Sequence, residues 1–419
     1  VTEGSSESVA IARLGARGDG LTAAGLAVAG ALPGERVSVR REDGRARLLA
    51  IELTSPDRID PFCPYYEECG GCAVQHLAPE PYAVWKRGIA EQALSQAHID
   101  VELLPLVDAH EAGRRRITLH VRRVDDVARA GLMAARSHAL VPIDHCPITV
   151  PDLHRAPQVA EALAEHLGRG SKPLDVQATA TEAGLDIDIR GHGPVSDKAR
   201  IALTRLAGDL GLARLALHGD IVVELRPPTL PSGAARLMPP PGGFLQATQA
   251  GEALLTALVV GAMDKRVKRV ADLFAGCGPF ALALARTADV LAVEGDEAAL
   301  RGLDRAARAI PSLRRITPER RDLFRRPLLP IELDRFDAVV FDPPRAGAQA
   351  QVRWLAESKV PLVVGVSCDP GTFARDAATL IAGGYRLEQV TPVDQFRYSG
   401  HVELVGVFRR EAVAKKRRL

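Results

Sequence analysis

The chain has 419 residues, 47% hydrophobic and 25% charged, with a net charge of +2. This composition predicts a globular protein of two or three domains and excludes a strongly basic or disordered chain, so any nucleic-acid contact has to come from local clusters. No apolar run approaches ~18 residues, so no membrane span is expected. Residues 1–20 lack the apolar core of a signal peptide, which predicts a cytoplasmic protein whose six cysteines are not paired as disulfides.

Short β-rich segments at 8–14, 25–29, 35–40 and 46–52, punctuated by glycines and Pro33-Gly34, predict a small β-barrel over residues 1–57. Gly25-Leu-Ala-Val-Ala-Gly-Ala-Leu-Pro-Gly-Glu-Arg-Val37 resembles the core of a TRAM-type domain, an OB-like barrel that implies RNA binding. Residues 55–61 read as the linker leaving it.

Cys63-Pro-Tyr-Tyr-Glu-Glu-Cys69-Gly-Gly-Cys72 places three cysteines within ten residues, with glycines that let the backbone wrap a metal. A four-thiolate shell needs one more ligand. Cys146, in the turn-like Asp144-His-Cys-Pro147, is the expected fourth. Three clustered ligands and one remote one favour a [4Fe-4S] cluster over zinc, whose sites usually pair C-x2-4-C knuckles.

Helical periodicity over 82–97 is followed by Gly113-Arg-Arg-Arg116 and strands at 117–123, 128–135 and 139–143. A helix is expected over 152–167, strands at 175–181 and 185–190, a helix over 196–210, and strands at 213–218 and 221–226. Strands in runs with helices between the groups predict an α+β domain over 58–240. Arg114, Arg115 and Arg116 read either as phosphate ligands or as a solvated strand end.

From residue 241 the pattern alternates. Strands end at Asp272, Glu294, Arg321-Asp322 and Asp342, and further strands run over 360–366, 385–390 and 401–408. This predicts a doubly wound α/β sheet over 241–411, followed by a basic tail, 412–419, with Lys415-Lys-Arg-Arg418. Gly276 and Gly278 form a turn that lets a ligand approach the backbone. Gly276-x-Gly278-x-x-Ala281 fits a dinucleotide fingerprint, but the carboxylates at successive strand ends suit S-adenosylmethionine (SAM) better, with Glu294 accepting the ribose hydroxyls. Cys368, at the end of the 360–366 strand, is placed as a nucleophile beyond a carboxyl edge, or else as a small buried hydrophobe.

Phe244-Leu-Gln246, Asp272-Leu-Phe-Ala-Gly-Cys-Gly-Pro-Phe280, Asp342-Pro-Pro-Arg-Ala-Gly347, Ser367-Cys-Asp-Pro370 and Gly400-His-Val-Glu403 occur in that order. Together they resemble the motifs of the RNA uracil-5-methyltransferases, and the four cysteines resemble the iron–sulfur subgroup that modifies large-subunit ribosomal RNA. The resemblance implies a class I SAM-methyltransferase fold and rRNA processing that yields 5-methyluridine. It implies attack of Cys368 on uracil C6, Glu403 as the base that removes the C5 proton, and Asp342 and Arg345 acting on the uracil ring. Gln246, Phe274, Gly276, Glu294, Asp322 and Asp342 would hold SAM. The target uridine in RNA would be single-stranded or flipped out, and the enzyme a monomer. Pro279 and Asp369 stand where the family commonly has Asn, and the charge of Asp369 is expected to oppose thiolate formation. Competing readings are a SAM enzyme acting on tRNA uridine or on a base nitrogen, and a non-catalytic, metal-stabilised RNA-binding protein.

Overall fold

The computed structural model describes residues 6–42, 45–167 and 173–410. The expected basic tail lies outside them.

The first six strands form one sheet in the order Ser6–Ala10, Arg36–Glu42, Arg45–Leu53, Ala27–Val28, Gly20–Leu21, Arg13–Leu14. Its pairings are antiparallel apart from the single parallel contact of Val28 with Ala46. Alternate residues such as Val37 and Val39 turn inward onto Ile11, Val28 and Ala31.

A seven-stranded sheet follows, in the order Leu140–Pro142, Val127–Met133, Arg116–Val124, Leu174–Thr181, Gly184–Arg190, Arg214–Leu217, Asp220–Glu224. The helices Ala156–Ala164 and Asp197–Asp209 supply core residues against it, among them Val159, Leu163 and Leu203. The helix expected over 152–167 is split into a 3-10 turn, Pro151–Leu153, and Ala156–Ala164. Pro157 cannot donate a backbone hydrogen bond, which restricts it to the first turn of the second piece and prevents one continuous helix.

The C-terminal sheet contains β1 (Arg269–Leu273), β2 (Asp289–Glu294), β3 (Ile316–Arg320), β4 (Ala338–Phe341), β5 (Leu362–Ser367), β6 (Tyr385–Asp394) and β7 (Glu403–Arg410). Their order is β3-β2-β1-β4-β5-β7-β6. The first five are parallel, and β7 inserts antiparallel between β5 and β6. Runs such as Leu362–Ser367 are buried on both faces, as central parallel strands must be. Thr248, Asp296 and Asp369 cap the helices Gln249–Gly261, Glu297–Arg308 and Pro370–Ala382 with side-chain oxygens.

The central stretch 58–240 does not stay with its own sheet throughout. Helix Pro79–Gln96 buries Ile89, Ala90 and Leu94 in the core beneath β1, β4 and β5. The two-residue strands Glu102–Leu103 and Val107–Asp108 then pair in parallel with β6 at the edge of the C-terminal sheet. Among the described residues no helix is long and apolar enough to cross a membrane.

Candidate active site

Beyond the carboxyl ends of β1, β2, β4 and β5 lies a cavity of about 710 Å³. Its lining includes Gln246, Phe274, Gly276, Glu294, Asp322, Asp342, Arg345, Cys368 and Glu403, all expected to hold SAM or to act on uracil.

At one end, Glu294 closes β2 with Oε2 accepting from Gly276 N at 3.0 Å and Oε1 from Asp296 N at 2.8 Å. Gly276 has φ 54° and a Cβ there would meet nothing within 4 Å, so its backbone is open to a ligand. Gly278, φ 78°, is closed instead: a Cβ would lie 2.4 Å from Leu303 Cδ1. Phe274 holds the left-handed φ of 61°, uncommon for an aromatic residue, and its ring meets Phe324 at 5.4 Å. Asp322 Oδ1 accepts from Phe324 N at 3.0 Å. These features make a slot with two aromatic rings and two carboxylates. Pro279 occupies the first turn of the short helix Pro279–Leu284, where its missing N–H costs no hydrogen bond.

Asp272 is not part of the lining. It is 1% exposed on β1, and neither carboxyl oxygen has a hydrogen-bond partner among the described residues. Burial, reinforced by the charge of Asp342, pushes its pKa up to about 8.

At the other end, four side chains form a chain of hydrogen bonds. Gln246 Nε2 donates to Asp342 Oδ2 at 2.8 Å, and Gln395 Nε2 donates both to Gln246 Oε1 at 2.7 Å and to Glu403 Oε2 at 2.8 Å. Burial raises the pKa of Asp342 against the opposing bond from Gln246, and burial plus the Asp342 charge raises that of Glu403. A carboxyl in that state is a stronger base than an exposed one. Cys368 is half-buried beside them. Burial first, then the charges of Glu403 and Asp342, push its thiol up to about 12, with Arg345 opposing. Arg345 also bonds His401 Nε2. Burial and Arg345 hold His401 down at about 4, so its ring is neutral near pH 7.

The expected influence of Asp369 takes another form. Its carboxylate accepts from Thr372 N at 2.9 Å as the helix cap, and the carboxylates acting on Cys368 are Glu403 and Asp342. The arginine run also divides. Arg115 is buried, donating to Gln246 O at 3.0 Å and pairing with Glu252 Oε2 at 2.5 Å, so it is neither a phosphate ligand nor a solvated strand end. Arg116 reaches the cavity and stacks on the exposed ring of Phe244 at 4.9 Å.

Cys63, Cys69, Cys72 and Cys146 are all free and half-buried, and none of them lines the cavity. Burial raises the thiols of Cys69, Cys72 and Cys146, and the four act on one another's charge: Cys72 responds to Cys146 and Cys69, Cys146 to Cys69 and Cys63. Among the described residues no group of three His, Cys, Asp or Glu side chains is arranged to hold a metal ion.

Gln395, His401 and Phe396 were not singled out from the sequence as site residues. His401 and Glu403 share the motif Gly400-His-Val-Glu403, which was the available signal. Gln395 carries none beyond its place at the end of β6.

Residues 241–411 match the family described as tRNA (uracil-5-)-methyltransferase. The chain is 45% identical over 410 residues to an uncharacterized RNA methyltransferase of Brucella suis, covering 97% of this chain and 99% of that one. It is 34% identical over 409 residues to the 23S rRNA (uracil(1939)-C(5))-methyltransferase RlmD of Chromohalobacter salexigens, covering 91% and 84%. Among solved structures, the Pyrococcus abyssi tRNA (uracil-54, C5)-methyltransferase in complex with S-adenosyl-L-homocysteine superposes with a TM-score of 0.72 at 21% identity, over 96% of this chain and 100% of that one.

Proposed function

The chain belongs to the RNA (uracil-5-)-methyltransferase family and is a SAM-dependent enzyme of RNA uracil C5, and we propose that it methylates a uridine of 23S ribosomal RNA through a covalent adduct to Cys368. The observation that carries the mechanism is the placement of Cys368, Glu403, Asp342 and Arg345 around the same cavity as the Glu294–Gly276 slot. The relative in Chromohalobacter salexigens supports the choice of RNA.

Bound SAM supplies an electrophilic methyl group. Gln246, Phe274, Gly276, Glu294, Asp322 and Asp342 hold it, with its ribose on Glu294. The Cys368 thiolate attacks C6 of the flipped-out uracil. Arg345 stabilises both the thiolate and the charge that moves onto the ring oxygen, and Asp342 fixes the ring edge. Electron density then rises at C5, which takes the methyl group. Glu403 removes the C5 proton, the C5=C6 bond returns, and Cys368 leaves.

We divide the chain into a TRAM-like OB barrel (1–57), a central α+β domain (58–240), the methyltransferase domain (241–411) and the basic tail. The barrel and Arg116 grip RNA. Cys63, Cys69, Cys72 and Cys146 hold a [4Fe-4S] cluster with a structural role. Their mutual influence supports one shared site, and the spacing of three clustered cysteines and one remote one supports the cluster over zinc.

The test is a denaturing gel of the protein with 5-fluorouracil-substituted RNA and SAM. Fluorine does not leave as a proton does, so the expected result is a SAM-dependent covalent band that Cys368→Ala abolishes. Methyl label entering ordinary RNA with no such band would overturn the covalent mechanism. Label entering tRNA transcripts but not 23S transcripts would overturn the choice of RNA.

A further inference from the structure

We propose that Gln395 positions the base, holding Glu403 by Oε2 and leaving Oε1 as the atom that receives the C5 proton. This rests on the uracil-C5 adduct chemistry above and goes beyond it by assigning an atom and a residue outside the recognised motifs.

Gln395 is fully buried at the end of β6. Its Oε1 accepts from Ala247 N at 3.0 Å. A backbone N–H can only donate, so the side-chain amide has one allowed orientation, with Nε2 toward Gln246 and Glu403. Gln246 must then accept through Oε1, which turns its own Nε2 toward Asp342. One backbone N–H thereby orients two amides, and each amide donates to one carboxyl. On Glu403 the donor occupies Oε2 at 2.8 Å, whereas Oε1 is buried and has no partner among the described residues. Oε1 is the oxygen left to take a proton.

In the elimination step the C5–H electron pair forms the C5=C6 bond, the C6–Sγ bond breaks with its electrons going to Cys368, and the proton goes to Oε1. The donor on Oε2 favours ionised Glu403, so its removal makes Glu403 harder to ionise. The other titratable groups facing Glu403 are Asp342, which raises it, and Cys368. Gln395→Leu keeps both groups, whereas Gln395→Glu adds a carboxyl whose charge itself raises Glu403.

The experiment compares wild type, Gln395→Leu and Gln395→Glu. Adduct formation is followed on 5-fluorouracil RNA. Release of methylated product from ordinary RNA is followed against pH in single turnover. The expected result is a fluorouracil adduct near the wild-type extent, release slower by about 10-fold or more, a methylated adduct accumulating on ordinary RNA, and the rising limb of release moved to higher pH. Gln395→Glu keeps an oxygen for Ala247 N–H and carries the test if the leucine variant does not fold. Release at the wild-type rate with an unmoved limb overturns the assignment. So does an equal loss of adduct formation and release, which marks a merely structural residue. No fluorouracil adduct in the wild type would instead sink the covalent mechanism on which the assignment stands.

Discussion

Lys86 and Asp394 form a buried ion pair, Nζ to Oδ1 at 2.9 Å, with both side chains at most 2% exposed. Lys86 Nζ also donates to Phe396 O at 2.9 Å and Ser399 O at 2.8 Å, and Tyr82 OH bonds Asp394. A helix from the first half of the chain thus holds the loop that brings Phe396 and His401 to the cavity. Lys86→Met leaves Asp394 as an uncompensated buried charge, so a loss of about 3–5 kcal/mol is expected. Urea denaturation reads this, and Lys86→Met with Asp394→Leu should recover part of it. A full loss in the double variant would refute the account.

In the proposed mechanism Cys368 and Glu403 act at different steps, so their variants should fail differently. Cys368→Ala should show methylation below detection and no adduct. Glu403→Gln should still form the methylated adduct but release product about 10²–10⁴-fold more slowly. Free RNA product from Glu403→Gln at the wild-type rate would remove Glu403 from the mechanism.

Asp272 should make the ligand-free protein sensitive to alkali. Its folded pKa of about 8 lies above the ordinary carboxylate value, near 3.8. Between those two values the folded state keeps a proton that the unfolded state has released, so stability falls as pH rises across that window and levels off above it. Asp272→Asn removes this slope. Thermal melts of the ligand-free variant and wild type should diverge most at about pH 9 and converge as pH falls toward about 4. Parallel melting curves at all pH values would count against it.

Arg116 is held below the usual arginine pKa by burial and by Arg115 and Arg114, and its guanidinium lies over the exposed ring of Phe244 at the cavity. As a phosphate ligand its loss is electrostatic. Arg116→Gln should weaken RNA binding and reduce the slope of log affinity against log salt by about 0.7–0.9, one contact. An unchanged slope with weaker SAM binding would assign Arg116 to the cofactor instead.

Much of the C-terminal sheet was legible because central parallel strands are written as apolar runs: the stretch 360–366 corresponds to the observed Leu362–Ser367. Glu102–Leu103 and Val107–Asp108 were not, since two residues carry no periodicity and their partner strand is far along the chain. The motif residues around the cavity were legible by type and order. Arg115 was misread because a run of three arginines says nothing about depth, and only packing against Glu252 decides it. Gln395 was silent for a related reason. A neutral amide gains a role from its neighbours' orientation, which no local pattern encodes.

The docking of residues 79–108 on the C-terminal sheet has a consequence for truncation. A fragment beginning at 241 would retain every cavity-lining residue except Arg116, Leu237 and Pro240. It would also expose the edge of β6 that Glu102–Leu103 and Val107–Asp108 cover, together with the apolar surface under Ile89, Ala90 and Leu94. An uncovered strand edge beside bare apolar surface invites self-association. The stretch that carries the family's motifs is therefore not an autonomous folding unit, and a shortened soluble enzyme would have to keep the helix Pro79–Gln96 and the two short strands after it.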